Sequence, residues 1–137
     1  MTGVQTCALP ISAPDRPRTP GVDVSCGAPG MGAGIALGLA LALKDSRPTV
    51  RVFCLMGAEE LMMGATWEAL DLAAARAPEN LTLIVECPEA SSCGRGTPGG
   101  FDWAADRLSV MGCRVARADW ARLCVPRGGP EIGRAHV

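Results

Sequence analysis

One histidine, one lysine and no C-x-x-C pair are found among the 137 residues of this chain. Each shortage excludes something. With its single histidine at position 136 and no paired cysteines, the chain lacks the closely spaced ligands of a structural zinc site. Thirteen basic side chains face fourteen acidic ones, a net charge of −1, so no phosphate-neutralising surface for nucleic acid is expected. The longest apolar stretch, residues 35–43, falls far short of the roughly 20 residues that span a membrane, and the apolar patch near the start has no basic flank of the secretory kind. These absences predict a compact cytoplasmic protein with no membrane or nucleic-acid partner. Apart from Cys7, the cysteines (Cys26, Cys54, Cys87, Cys93, Cys113 and Cys124) are read as reduced core residues, because several lie inside apolar runs.

The two ends differ in kind from what lies between them. Residues 1–11 (MTGVQTCALPI) and 132–137 (IGRAHV) look like translations of the two strands of a sequencing-library adapter. Such segments are set aside in reading a fold. Residues 12–131 are then the interpretable part, a partial domain belonging to a longer gene. Residues 1–11 and 132–137 are expected to contribute nothing to the fold.

What is present alternates between strand and helix. Residues 12–20 are rich in Pro and Arg and read as irregular, and residues 21–25 as a short extended approach to the glycine loop GAPGMGAG at 27–34. Residues 31–44 are apolar on every face, as suits a helix buried between layers, with Lys44 at the end where a cation is favoured. Residues 50–56 and 81–85 are continuous apolar strands. Between them, residues 60–76 read as a helix with Leu61, Met62, Ala65, Ala69, Leu72 and Ala73 on one stripe, stopped by Pro78, and Trp67 is expected in its core contact. A long loop over 87–100, a helix over 101–111 and a third strand over 112–118 complete the pattern. Near-continuous apolar strands separated by helices indicate an α/β fold, a mainly parallel sheet with helices on both faces.

Two features carry chemistry. The glycine loop running into a helix presents backbone amides suited to a phosphate group, or else its glycines let a buried helix pack closely. It is not a P-loop, since no Gly-Lys-Ser/Thr follows, and it does not keep the dinucleotide spacing. The acidic turn Gly57, Ala58, Glu59, Glu60 ends one strand, and Glu86, Cys87 and Pro88 end the next. Oxygen ligands from two adjacent strand ends suit a magnesium ion on a diphosphate; equally, Glu59 and Glu60 complement the dipole of the following helix.

These residues together resemble the N-terminal, diphosphate-binding region of transketolases. Residues 20–32, PGVDVSCGAPGMG, follow the family's P-G-V-E-x-S-T-G-S-L-G-Q-G, continued by Gly38, Ala40 and Ala42. Residues 55–69, LMGAEELMMGATWEA, follow L-L-G-D-G-E-L-x-E-G-x-x-W-E-A, and residues 80–86, NLTLIVE, follow N-L-x-x-I-V-D. Gly94, Ala105, Asp106, Gly112, Val115 and Asp119 extend the likeness through nearly all of 20–119. The resemblance implies a thiamine-diphosphate-binding fold, two-carbon ketol transfer between sugar phosphates, and thiamine diphosphate with magnesium as cofactors. It further implies a homo- or hetero-oligomer with a pyrimidine-binding domain or subunit, which in the family supplies the catalytic glutamate. By resemblance the cofactor-binding positions are Gly27, Ala28, Pro29, Gly30, Gly57, Ala58, Glu59 and Glu60. No catalytic proton-transfer residue and no metal ligand can be assigned. The family's metal-binding Asp is here Ala58, its metal-binding Asn is Pro88, and the second acid of the motif is Met63. The resemblance thus describes a transketolase-like protein with weak or lost cofactor binding, inactive as this chain alone. The alternative is a non-catalytic homologue with a structural or regulatory role.

Overall fold

A computed structural model of the chain describes residues 2–5, 16, 21–87 and 101–118, the first four by backbone alone. The sheet is four-stranded and parallel, in the order β2-β1-β3-β4, with β1 at Thr2–Gln5, β2 at Val24–Ser25, β3 at Val52–Gly57 and β4 at Leu81–Glu86. The helices are α1 (Met31–Ser46), α2 (Gly64–Arg76) and α3 (Phe101–Val110), and a 3-10 turn, Ala58–Met62, leads from β3 into α2. The expected α/β character and parallel sheet are what the chain adopts.

Side-chain alternation along β3 and β4 fixes where the core lies. Val52 pairs with Leu81, Cys54 with Leu83 and Met56 with Val85, which puts these six side chains on one face. All but the half-buried Val85 are buried, and they meet Ala36, Leu37 and Ala40 of α1, Leu70 and Ala73 of α2, and Ala104 and Leu108 of α3. Phe53, Leu55 and Ile84 occupy the other face and are half-buried or exposed among the described residues.

Several expectations are refined. Helix α1 runs two residues beyond 44, and it is not buried all round: Ala33, Ala36, Leu37 and Ala40 are covered, while Met31, Gly34, Gly38 and Ala42 are exposed. One stripe of the helix packs against β3 and α2, with Gly34 at the edge of the exposed stripe facing Ala69 of α2. The helix expected over 60–76 is broken at Met63, whose backbone is extended (φ −89, ψ 131). The break turns the register, so the buried stripe of α2 is Thr66, Ala69, Leu70 and Ala73, with Met62, Ala65 and Leu72 exposed. Its end is as read: Ala77 before Pro78 leaves the helical region at φ 41, and its N–H still reaches Ala73 O at 2.8 Å. Residues 113–118 form no strand. Gly112 turns the chain at φ +80, with Gly112 N–H donating to Ser109 O and Cys113 N–H to Leu108 O, a Schellman stop that sends the segment back along α3.

The expectation that residues 1–11 add nothing to the fold is corrected at Thr2–Gln5. This stretch is the strand between β2 and β3, pairing Val4 with both Val24 and Cys54. Ladder bonds are made by backbone groups, so a short extended segment fills an open strand edge whatever its side chains. The rest of 1–11, the irregular segment 12–20 apart from Arg16, most of the loop over 87–100, and the tail 132–137 lie outside the described residues.

Candidate functional site

The parallel topology brings two distant parts of the chain to one place: the carboxyl end of β3 with its 3-10 turn, and the loop that opens α1. Crevices at the carboxyl ends of parallel strands are where such sheets receive ligands. Gly27, Ala28 and Pro29 form an exposed lip, closed as a turn by Met31 N–H to Ala28 O at 3.4 Å. Gly30, the residue that starts α1, is buried and left-handed at φ 81. A β-carbon there would lie 2.6 Å from Met63 Cβ, so both backbone conformation and space demand glycine.

The centre of the site is Glu60, whose side chain is fully buried. Its carboxylate accepts the Gly30 N–H at 2.7 Å and the Gly57 N–H at 3.2 Å. Its carbonyl accepts the Thr66 hydroxyl at 2.7 Å and the Met63 N–H at 3.1 Å. Neither reading of Glu60 as a solvated first-turn acid nor as a metal ligand describes this position. Two helical starts, that of α1 and that of the 3-10 turn, converge on the carboxylate, and their orphan amides favour a negative charge there.

The other predicted residues gather around it. Ala58 is buried, 4% exposed, and presents only a methyl group. The half-buried Glu59 folds back over Gly57, so that a β-carbon on Gly57 would collide with the Glu59 carboxylate. All eight candidate positions therefore lie along the glycine loop and the acidic turn, and the Gly30 to Glu60 bond joins those two segments. As a magnesium site they do not fit. Both Glu60 oxygens already accept amide protons, Ala58 offers none, and no cluster of three or more His, Cys, Asp or Glu capable of holding a metal occurs among the described residues. Pro88 lies outside the described residues.

Thiols border the site. Burial, and then the nearby Glu60, push Cys26 up from its ordinary value. Burial, followed by Cys26 and Glu60, pushes the Cys54 thiol up to about 12. Among the described cysteines Cys54 is buried, as its core reading expects, while Cys26, Cys87 and Cys113 are half-buried; Cys93 and Cys124 lie outside the described residues. Beyond the site, Trp67 is half-buried rather than enclosed. Its indole N–H donates to Leu61 O at 2.7 Å, and the Arg107 guanidinium lies 5.8 Å from its ring and 4.8 Å from that of Trp103. Sequence reasoning missed Thr66 and Arg107. A Thr among helix residues and an Arg on α3 carry no pattern that reveals either contact.

Fold and site define a parallel α/β chain with a glycine loop and an acidic turn joined at the carboxyl edge of its sheet. It is related to the transketolases. It is 41% identical over 71 residues to an apulose-4-phosphate transketolase subunit of Actinobacillus succinogenes, a match covering 52% of this chain and 26% of that protein. It is 36% identical over 91 residues to human transketolase-like protein 2, covering 66% of this chain and 14% of the relative. A transketolase family protein of Sinorhizobium fredii is 36% identical over 102 residues, with 74% of this chain and 37% of that protein matched. The chain thus spans well under half the length of these curated relatives. No protein-family model matches it. No helix among the described residues is long and apolar enough to cross a membrane.

Proposed function

We propose that this chain is part of a transketolase-type, thiamine-diphosphate-dependent protein of the cytoplasm, whose diphosphate-binding scaffold remains and whose magnesium site is lost. In this reading residues 12–131 are the partial domain, to whose sheet Thr2–Gln5 adds a strand, and its reaction class is two-carbon ketol transfer between sugar phosphates. Ala58 carries the proposal. At the head of the acidic turn a buried methyl replaces the oxygen that would bind magnesium, while the packing around it is intact. Pro88 removes the second ligand from the sequence, having neither a side-chain oxygen nor an N–H. Two phosphates entering here would meet Glu59 and Glu60 without a cation between them, and like charges at close range oppose binding.

The partner is a pyrimidine-binding transketolase domain or subunit in a homo- or hetero-oligomer. The exposed apolar stripe of α1 (Met31, Gly34, Gly38, Ala42), together with exposed Met62 and Met63, supports a surface that a partner covers. So does the name of the Actinobacillus relative, which describes one subunit of a transketolase. The second reading, a non-catalytic structural or regulatory homologue, is favoured by the same Ala58 methyl and by the commitment of Glu60 to backbone amides.

Calorimetric titration of the chain paired with a pyrimidine-domain partner tests the proposal. The unmodified chain is expected to bind thiamine diphosphate very weakly and without dependence on magnesium. The triple variant Ala58→Asp, Glu59→Gly, Pro88→Asn is expected to recover magnesium-dependent binding. Tight magnesium-dependent binding by the unmodified chain would overturn the lost-site reading and assign the ion to Glu59.

A further inference from the structure

We infer that Glu60 is a positioning residue, a buried carboxylate clasp that fastens the glycine loop to the carboxyl end of β3 and so sets the shape of the site. Three observations carry this. The carboxylate is wholly enclosed, so its oxygens are held by protein contacts and not by bulk water. It takes one amide from the glycine loop thirty residues before it, Gly30 at 2.7 Å, and one from the head of its own turn, Gly57 at 3.2 Å. Its backbone is pinned in turn by Thr66, a side chain that is itself fully buried on α2. The chain of contacts therefore runs from α2 through Glu60 to Gly30, the residue that caps α1.

The chemistry suits a carboxylate and no other side chain. Both amides belong to residues that open a helical turn, where N–H groups lack intrahelical acceptors and an anion is favoured. A carboxylate has two acceptor oxygens and so can serve both, whereas an amide side chain has one acceptor oxygen and presents an NH2 to the other donor. Gly30 is left-handed, a conformation that glycine adopts as readily as others, and the bond to Glu60 together with the packing against Met63 selects it from among them. For the site, the consequence is that two of its amides are already engaged by a protein carboxylate. Pro29 has no N–H, so Gly27 and Ala28 are the residues of the exposed lip that carry amides for an anionic ligand. The clasp does not depend on whether thiamine diphosphate binds, and it can fail or stand independently of the proposed function.

Amide hydrogen exchange, followed by NMR on the full chain, tests it without any ligand. In the unmodified protein the Gly30 amide is expected to exchange at least about tenfold more slowly than that of Ala28 in the exposed lip, the margin by which a closed hydrogen bond separates from an open one. Glu60→Gln should abolish protection at Gly30 or Gly57 while leaving the β3 and β4 amides protected. Glu60→Asp, which keeps the charge but loses reach, should do the same. Glu68→Gln, exposed on α2, should leave both glycines as they were. Equal exchange of Gly30 and Ala28 in the unmodified chain would overturn the proposal, and so would unchanged protection at both glycines in Glu60→Gln. If Glu60→Gln does not fold, the comparison of Gly30 with Ala28 in the unmodified chain still decides the matter.

Discussion

At the scale of single residues, the packing of Gly30 gives the sharpest prediction. A side chain there must accept φ 81 and also a Cβ to Cβ approach of 2.6 Å to Met63. Gly30→Ala is expected to lower stability by about 2 to 4 kcal/mol, combining left-handed strain with overpacking. Because the closest clash is with the Met63 β-carbon, adding Met63→Ala should not relieve it, whereas adding Met63→Gly should recover the overpacking part and leave the left-handed strain. Urea denaturation of the three variants checks this, and recovery by Met63→Ala would place the obstruction farther along the methionine side chain.

Trp67 is a second case in which the structure changes the expected magnitude. An enclosed tryptophan costs about 3 to 5 kcal/mol when cut to alanine. Half-buried, with one indole hydrogen bond and a guanidinium over its ring, Trp67→Ala should cost about 2 to 3 kcal/mol. Arg107→Ala, exposed and stacked on both Trp67 and Trp103, should cost about 0.5 to 1 kcal/mol. A double-mutant cycle separates the pair. Strict additivity would mean that Arg107 and Trp67 do not interact in solution.

At the scale of elements, the telling feature is the place of β1. Thr2–Gln5 lies inside the sheet, so its removal takes a paired strand from β3 and leaves β2 without a neighbour. Deleting residues 1–11 is therefore expected to lower the thermal midpoint and to promote association through the bared β3 edge. An unchanged midpoint would restore the view that this segment is a passive extension. The element pattern itself was readable because β3 and β4 are continuous apolar runs and because Ala77 before Pro78 can only end a helix. What escaped was the break at Met63. Nothing in ELMMG announces an extended residue, and the break follows from the Glu60 contacts that anchor the turn on one side while α2 packs on the other.

At the scale of the whole molecule, burial of Cys54 links the core to pH. Its thiol ionises near 9.0 in the unfolded chain and near about 12 in the fold, raised by burial first and by Cys26 and Glu60 after it. Between those values the native state keeps a proton that the unfolded state has released. The contribution of this group is complete below about pH 9 and declines as pH rises through the interval toward 12. Cys26 and Cys113, also raised, act in the same direction. The urea midpoint should therefore fall as pH rises above 9, and Cys54→Ala should flatten part of that slope. A midpoint independent of pH over this range would mean that Cys54 is reached by water in the native protein.

The sequence by itself determined the α/β class, the parallel strands, the segments that meet at the site, and the absence of a side-chain oxygen at position 58. These depend on composition, apolar periodicity and residue identity, all of them local. The tertiary structure alone decided that Glu60 is enclosed and bonded to Gly30, that α1 is covered on one stripe, that residues 113–118 turn back along α3, and that Thr2–Gln5 enters the sheet. Each of these outcomes depends on which distant backbone groups come within hydrogen-bonding or packing range, and no residue encodes that separately from the fold around it.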